Sequence, residues 1–464
     1  MTGIVLGIGA VVSVLAFGGV EILAFIPVEV LIAILAVYQF WRRGWPKVSR
    51  PMLWVLGILV AIPLLQLLPL PAPLMSLVSP ARVTLTRNVF SSINPAGSAL
   101  AVSVNSYETQ IAVLRLVCYA LVFLLAFQAC RLQREPTILI GVLVGLGVFE
   151  AVWGIIQYLS GWQYFFYYNK WVIAQGASGS YVNRNHFAGL LGMILPFVLA
   201  RVLIRNPGRE QARRFGWKEL IVSPLSSNRL GDMAVFVLIA IGLIFSRSRM
   251  GLVATAAGAV LVAIIAFLQT RRRSTLVIAF LALTIPLGYS FWIGLDPVVE
   301  RFQELNQESG SEGDRLPIWS DTVALIRDYP LVGTGLGTYH WASLHYQSHM
   351  LDIYYDHAHN DYLEFAADIG IPTALLLFGG LWILAVSVAR KAPVLERTKD
   401  RILAAGCAGA MAALLTHSIA DFDLQIPANA YIFAWIAGTG AALLRRPAAE
   451  SQTGAIRAQA AAIQ

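Results

Sequence analysis

The chain has 464 residues, of which 57% are hydrophobic and only 13% are charged. Because soluble domains carry about 25% charged residues, this composition excludes an ordinary soluble protein and favours a chain embedded in lipid. The net charge of +8 does not indicate nucleic-acid binding, since the basic residues cluster between apolar runs, where membrane proteins carry them.

Twelve apolar runs predict twelve transmembrane helices. They cover residues 3–20, 23–41, 52–70, 109–130, 137–159, 186–204, 232–246, 250–269, 275–294, 372–389, 402–420 and 429–444. With the N-terminus in the cytoplasm, Arg42, Arg131, Arg271, Arg390 and Arg445 all fall in cytoplasmic segments, as the positive-inside rule requires. The first run has no basic leader and is expected to remain as a span. Both termini are therefore expected in the cytoplasm.

The sequence thus predicts an all-α integral membrane domain over residues 1–446, followed by a disordered cytoplasmic tail over residues 447–464. Three external segments are long enough to fold, namely residues 71–108, 160–185 and 295–371. The last is the longest and holds five of the seven histidines, so chemistry is expected there. The three cysteines fall in or beside predicted spans without a CxxC motif, which predicts neither a disulfide framework nor a zinc site.

The fourth predicted span carries Arg115 near its middle, where a charge must be paired or must reach the interface. A transporter of lipid-linked sugars or organic anions would carry such charges in several spans near the midplane. The other charged residues that could bind a substrate lie in the predicted external segments, and this distribution counts against transport.

An external arginine, Arg184, comes directly before the sixth predicted span. The neighbouring Asn183 and Asn185 suit helix N-caps, and they are also candidates for substrate binding. Arg184 and His186 have no capping role. An arginine at a helix N-terminus suits an anion site, since the helix dipole also attracts negative charge there.

The short external turn between the seventh and eighth spans carries Arg247 and Arg249. Charges at membrane depth are costly unless they are paired, so such residues mark ion pairs or ligand sites. Guanidinium groups match phosphate oxygens in a bidentate manner, so the two arginines predict binding of an anion such as a diphosphate. Extension of their side chains to lipid phosphates is the alternative.

The glycine-rich segment Gly333–Gly337 reads as a tight turn, because no Rossmann strand precedes it and no ATP is expected outside the membrane. Farther along, His417 and Asp421 lie at the outer end of the eleventh predicted span. They either complete an external site or line its rim, and the sequence leaves both interpretations open.

The end of the long external loop carries His357, His359, Asn360, Asp361 and Glu364 within eight residues. On a strand the two histidines would share a face, whereas on a helix they would diverge. The spacing matches no recognised metal site, so no metal is expected. A histidine held by an asparagine or a carboxylate could instead deprotonate a sugar hydroxyl, because its pKa lies near the working pH. The alternative is that these residues have only a structural role, as caps and neighbours of a helix N-terminus.

Together these segments resemble the O-antigen ligase and polymerase superfamily of bacterial membrane glycosyltransferases. The resemblance rests on residues 183–189, on residues 246–251 and on the loop from Arg315 to Gly370. It implies a fold similar to the lipid-dependent GT-C-like class, in which no metal or other cofactor takes part. It also implies an active site on the periplasmic face of the bacterial inner membrane.

The resemblance implies specific roles for matching residues. His359 corresponds to the general base, and Arg184 and Arg249 correspond best to the arginines that bind the diphosphate. Arg247 remains a second candidate, because the Ser-Arg-Ser-Arg doublet leaves the register open. The residues expected to bind substrate are Arg247, Asn360, His357, Asn183, Asn185, His186, Arg315, Glu364, His417 and Asp421.

The implied reaction moves a glycan from polyprenyl (undecaprenyl) diphosphate to an acceptor hydroxyl with inversion and without metal. A ligase that modifies lipid A core is the favoured interpretation. Polymerisation of lipid-linked repeat units, transfer to protein and transport of lipid-linked sugar are the alternatives. The expected partners are the lipid-linked donor, lipid A core or a growing glycan, the bilayer, and a chain-length regulator or other assembly proteins. No nucleic-acid partner is expected.

Overall fold

The computed structural model describes residues 1–89, 99–130, 135–162, 164–165, 168–169, 176–204, 229–271, 315–347 and 355–446, with isolated positions between 273 and 288. Its helices are α1 (Thr2–Leu15), α2 (Ile22–Arg43), α3 (Arg50–Gln66), α4 (Ala72–Val78), α5 (Pro80–Val89), α6 (Ser106–Cys130), α7 (Glu135–Ser160), α8 (Arg184–Ile204), α9 (Arg229–Phe245), α10 (Arg249–Thr270), α11 (Arg315–Asp328), α12 (Tyr339–Ala342), α13 (Asp361–Ile369), α14 (Ile371–Lys391), α15 (Thr398–His417) and α16 (Pro427–Leu443). Two antiparallel pairs of short strands accompany them, β1 (Pro69–Leu70) with β2 (Leu100–Ala101), and β3 (Tyr164–Phe165) with β4 (Tyr168–Asn169).

The helical prediction is confirmed for the part of the chain that the structure describes. Every predicted span except the ninth overlaps a helix. The ninth span, residues 275–294, and the tail, residues 447–464, lie largely or wholly outside the described residues. The segment over residues 295–371, which we call the external loop after its predicted position, is helical in parts, since its described residues contain α11, α12 and α13.

Six described helices are long and apolar enough to cross a membrane. They are Ile22–Arg43, Ser106–Cys130, Thr137–Ser160, Arg184–Ile204, Arg249–Thr270 and Ile371–Val394. The chain is therefore a multi-pass membrane protein. The count of twelve spans stays a prediction, because α1, α3, α9 and α16 have between 14 and 17 residues.

Helix α8 lies at the centre of the bundle, where every residue from His186 to Ile204 is buried. It packs against α9, α10 and α15. Small residues allow these close approaches: a Cβ added at Gly192 would lie 2.7 Å from the hydroxyl oxygen of Thr255. Such approaches matter in lipid, where helices associate through close packing and not through exclusion of water.

The outer surface of the bundle is apolar, as contact with lipid requires. Leu23 is 84% exposed, Trp54 is 72% exposed and Ile383 is 69% exposed. Exposed apolar side chains spread over several helices would be an aggregation hazard in water. In a multi-pass membrane protein they form the surface that faces the acyl chains.

The external loop is attached to the bundle through the glycine-rich turn. Gln66, at the end of α3, donates hydrogen bonds to the carbonyls of Val332 at 2.6 Å and Asp368 at 2.8 Å, and its side-chain oxygen accepts one from the Leu336 amide at 3.0 Å. The Gly337 amide donates to the carboxylate of Asp368 at 2.7 Å. These backbone amides are therefore used within the protein, and the predicted tight turn is confirmed.

Candidate active site

Four segments of the chain meet at one buried carboxylate, that of Asp421 in the loop between α15 and α16. Its Oδ1 atom lies 3.6 Å from Nε2 of His186 in α8 and 3.8 Å from Nδ1 of His359 in the external loop. Its Oδ2 atom lies 3.4 Å from a terminal nitrogen of Arg315, which begins α11. The fold thus brings together four residues that the sequence named separately.

The surroundings of Asp421 keep its carboxyl group ionised. Burial alone would raise its pKa, but the contacts with His186 and His359 hold that pKa well below its ordinary value. A buried anion of this kind can stabilise positive charge on a neighbouring imidazole. Asp421 is therefore suited to support His359 when that ring takes up a proton.

His359 is held in a conformation that non-glycine residues rarely adopt, with a φ of 49°. The edge of its ring meets Phe422, with ring centroids 4.9 Å apart and an interplanar angle of 76°. Its side chain is 24% exposed, whereas its Nδ1 atom, the one nearest Asp421, is buried. The exposed part of the ring therefore lies away from Nδ1, so Nε2 is the nitrogen available to a substrate.

Asn360 fixes the start of α13 directly after His359. Its side-chain oxygen accepts a hydrogen bond from the Leu363 amide at 3.1 Å, as an N-cap does. Asn183 acts similarly before α8, where its side-chain oxygen accepts from the Asn185 amide at 2.8 Å. These asparagines shape the backbone on which the functional side chains stand, and their predicted contact with substrate stays a prediction.

Asp361 joins the external loop to the loop that carries Asp421. Its carboxylate accepts hydrogen bonds from the Ser418 hydroxyl at 2.6 Å and from the Leu424 amide at 3.1 Å. Its backbone amide donates to the carbonyls of Ser418 at 2.9 Å and Asp421 at 3.1 Å. Burial raises the pKa of Asp361 well above its ordinary value. The sequence placed Asp361 only among the polar residues at the end of the external loop, and its role in docking the two loops was missed.

His417 is fully enclosed and does not line a rim. Its Nδ1 atom lies 2.6 Å from Oδ2 of Asp423, and the two side chains are 1% and 0% exposed. Asp423 also accepts a hydrogen bond from Asn429 at 3.0 Å, and Asn429 donates to the backbone carbonyl of His186 at 3.0 Å. Burial therefore leaves His417 no surface for direct contact with a substrate, and its partner is the carboxylate of Asp423.

His357 forms a separate pair with Glu364. Its Nδ1 atom lies 2.7 Å from Oε1 of Glu364, whose other oxygen accepts from the Ala358 amide at 2.8 Å. Burial lowers the pKa of His357, but the charge and hydrogen bond of Glu364 outweigh it and raise that pKa overall. The ring of His357 stacks on Phe422 at 4.0 Å. Phe422, which the sequence analysis did not single out, thus contacts both His357 and His359.

The three arginines that were predicted to be external lie at adjacent turns. Arg184 begins α8 and Arg249 begins α10, while Arg247 lies between α9 and α10 with a φ of 54°. The Ala177 amide, ahead of α8, donates to the Phe245 carbonyl at 2.8 Å, which holds the two turns together. The structure therefore brings these arginines to the same end of the bundle as His186. Arg249 is exposed, and the other two are partly buried.

No group of three or more histidine, cysteine, aspartate or glutamate side chains that could hold a metal ion occurs among the described residues. The side chains that meet at Asp421 are two histidines, an ionised carboxylate and a guanidinium group. This set suits proton transfer beside an anionic ligand.

Residues 234–378 match the O-antigen ligase family. The matched range includes Arg247, Arg249, Arg315 and His359, whereas Arg184, His186 and Asp421 lie outside it. No curated protein matches the chain. The match confirms the resemblance to the O-antigen ligase and polymerase superfamily that the motifs indicated.

Proposed function

From this match and the geometry of the site, we propose that the protein is a glycosyltransferase that moves a glycan from undecaprenyl diphosphate to an acceptor hydroxyl at the periplasmic face of the inner membrane. The family match supports ligase or polymerase activity in general. The observation that carries the finer proposal is the position of His359, partly exposed beside the buried carboxylate of Asp421.

In the proposed reaction, Nε2 of His359 takes the proton from the acceptor hydroxyl, and Asp421 stabilises the resulting imidazolium. The hydroxyl oxygen forms a bond to the anomeric carbon of the donor sugar, and the bond from that carbon to the diphosphate breaks. In-line attack inverts the configuration at the carbon. The electron pair leaves with the polyprenyl diphosphate, whose negative charge is stabilised by Arg184 and Arg249, with Arg247 as the alternative.

The donor supplies the energy for transfer, because ATP is not expected outside the membrane. A diphosphate is a good leaving group when its charge is neutralised, and each well-placed donor of hydrogen bonds contributes about 3–4 kcal/mol in such sites. Neither step needs a metal ion, so transfer is expected to resist chelation.

If the protein acts as an O-antigen ligase, as the matched family suggests, its acceptor would be lipid A core. A polymerase would instead use a second lipid-linked glycan as acceptor, with a chain-length regulator as partner. Transfer to protein or transport of lipid-linked sugar would leave both of these acceptors unmodified.

The test is transfer by the full chain from purified undecaprenyl-diphosphate glycan in EDTA, with lipid A core and a second donor molecule offered separately. Replacement His359→Ala is expected to lower kcat about 10²–10⁴-fold, as loss of a general base does. His345→Ala is the matched control, because this exposed histidine lies in the same loop outside the cluster. Full activity in His359→Ala would remove that residue as the base, and no product with any acceptor would refute the proposed function.

A further inference from the structure

A cleft of about 770 Å³ adjoins the candidate active site on the side of His357. Helices α3, α6, α14 and α16 form its walls, and two of these, α6 and α14, are long and apolar enough to cross a membrane. Apolar side chains dominate these walls; representative examples are Leu56, Ile111, Leu381 and Phe433. The lower part of the cleft is therefore suited to a hydrocarbon chain.

The external end of the same cleft is polar. His357 and Glu364 form one pair there, 2.7 Å apart, and His340 and Asp356 form a second pair, 3.3 Å apart. Trp341 also lines this end and is 48% exposed. Its ring meets His340 edge to face, with ring centroids 5.1 Å apart.

These groups fit a sugar better than an anion. Each imidazole–carboxylate pair offers donors and acceptors for hydroxyl groups, while its charges largely balance. An exposed tryptophan offers a flat apolar face with a polar edge, which suits a sugar ring. Apolar walls below and polar pairs with an aromatic ring above together describe a site for a glycolipid.

The positions of the arginines indicate whether the cleft would hold the diphosphate-linked donor or the acceptor. Among the described residues, Arg115 is the arginine that lines the cleft, and it lies within α6, below the polar end. Arg184, Arg247 and Arg249 do not line it. Among the residues that the structure describes, a diphosphate at the polar end would therefore meet no guanidinium partner, whereas the head group of an acceptor would not need one.

We propose that this cleft binds the acceptor glycolipid, with Trp341 stacked on a sugar ring and the His357–Glu364 pair hydrogen-bonded to its hydroxyl groups. This inference rests on the proposed function, since it divides that site into an acceptor side and a donor side. Phe422 contacts both His357 and His359, so the acceptor side directly adjoins the proposed base.

The kinetic test uses the transfer assay with Trp341→Ala. The acceptor KM is expected to rise about 3- to 10-fold, the range for loss of an aromatic contact, while kcat and the donor KM stay unchanged. Trp341→Phe should recover most of the affinity, because a flat ring remains. Trp162→Ala is the matched control, since this tryptophan is 55% exposed beyond the end of α7 and does not line the cleft. A raised donor KM, a fall in kcat alone, or no change would overturn the inference.

A binding test separates this inference from the proposed function. The full chain is photolabelled with dodecyl glucoside or dodecyl phosphate, each carrying a diazirine in its chain. The glucoside is expected to label peptides of α3 and α6 several-fold more than the phosphate does, and Trp341→Ala should remove that preference. Equal labelling by both probes would overturn the inference. Selective labelling in a protein that transfers no glycan would refute the proposed function alone.

Discussion

A buried carboxylate stays charged only where its neighbours compensate for the lost hydration. Asp421 meets this condition, because two imidazoles and one guanidinium approach its two oxygens. The same contacts give it a function, since a fixed negative charge beside His359 stabilises the imidazolium that forms during proton transfer. Asp421 is thus a positioning residue that acts through His359.

Replacement Asp421→Asn keeps the shape of the side chain but removes its charge. We expect kcat for glycan transfer to fall about 10²–10⁴-fold with little change in either KM, because the lost interaction matters only once His359 is protonated. The measurement is steady-state transfer, with elution volume and thermal unfolding as checks of folding. Asp328→Asn is the control, since that carboxylate accepts a hydrogen bond from the Tyr346 hydroxyl on the surface of the external loop, away from Asp421. Normal kcat in Asp421→Asn would remove the aspartate from the mechanism.

The sequence indicated which residues belong to the candidate site, but not which of them contact one another. His186, Arg315, His359 and Asp421 were all named as site residues, and the structure brings the other three to Asp421. The pairing could not be predicted, because Asp421 reaches His359 only after α13 docks on the loop between α15 and α16. Phe422 was missed for a similar reason. An aromatic residue between two aspartates does not by itself indicate a site, and its contacts with His357 and His359 exist only in the folded protein.

At the scale of elements, the glycine-rich turn decides how the external loop sits on the bundle. Gly333, Gly335 and Gly337 have φ values of 69°, 118° and 76°, which residues with a Cβ rarely adopt. Gly335 also lies against the start of α6 and the segment before it, where a Cβ would stand 2.8 Å from the Thr109 hydroxyl and 2.7 Å from the Ser103 hydroxyl. The turn needs glycine both for its backbone conformation and for its close packing.

Replacement Gly335→Ala is expected to destabilise the protein by about 1–3 kcal/mol, the cost of a residue forced into such a backbone region. Thermal unfolding in detergent would report this as a lowered Tm. Gly57→Ala is the matched control, because an added Cβ meets nothing within 4 Å on α3 and alanine favours the helix. A Tm for Gly335→Ala equal to that of the control would contradict the role given to the turn.

The helices of the bundle were predictable because their apolar runs are long enough to cross a membrane. The interior of the external loop was not. Helices α11 and α13 are held by contacts with distant parts of the chain, such as that of the Trp319 indole, which donates to the Ala358 carbonyl at 3.0 Å. Contacts of this kind join residues far apart in the chain and leave no local pattern in the sequence.

At the scale of the whole molecule, α3 decides the topology. It has 17 residues, which is at the lower limit for a transmembrane helix, and its two ends carry different kinds of contact. Its first residue, Arg50, follows a basic segment, whereas its last residue, Gln66, bonds to the turn that carries the external loop. A helix of this length extends about 25 Å, which is close to the thickness of the hydrocarbon core. We therefore expect α3 to cross the membrane.

Single cysteines test this crossing in a variant whose native cysteines, all three buried, are replaced. Cysteines placed at Trp45 and Glu396 should react with a membrane-impermeant maleimide only after the cells are permeabilised, because both positions are exposed on the cytoplasmic side of the predicted topology. A cysteine at Trp162 should react in intact spheroplasts. If only the six longest helices crossed, Trp45 and Trp162 would share a compartment, because α6 and α7 alone would separate them. Labelling of Trp45 and Trp162 from the same side would therefore contradict the crossing of α3, and with it the external position of the loop that Gln66 holds.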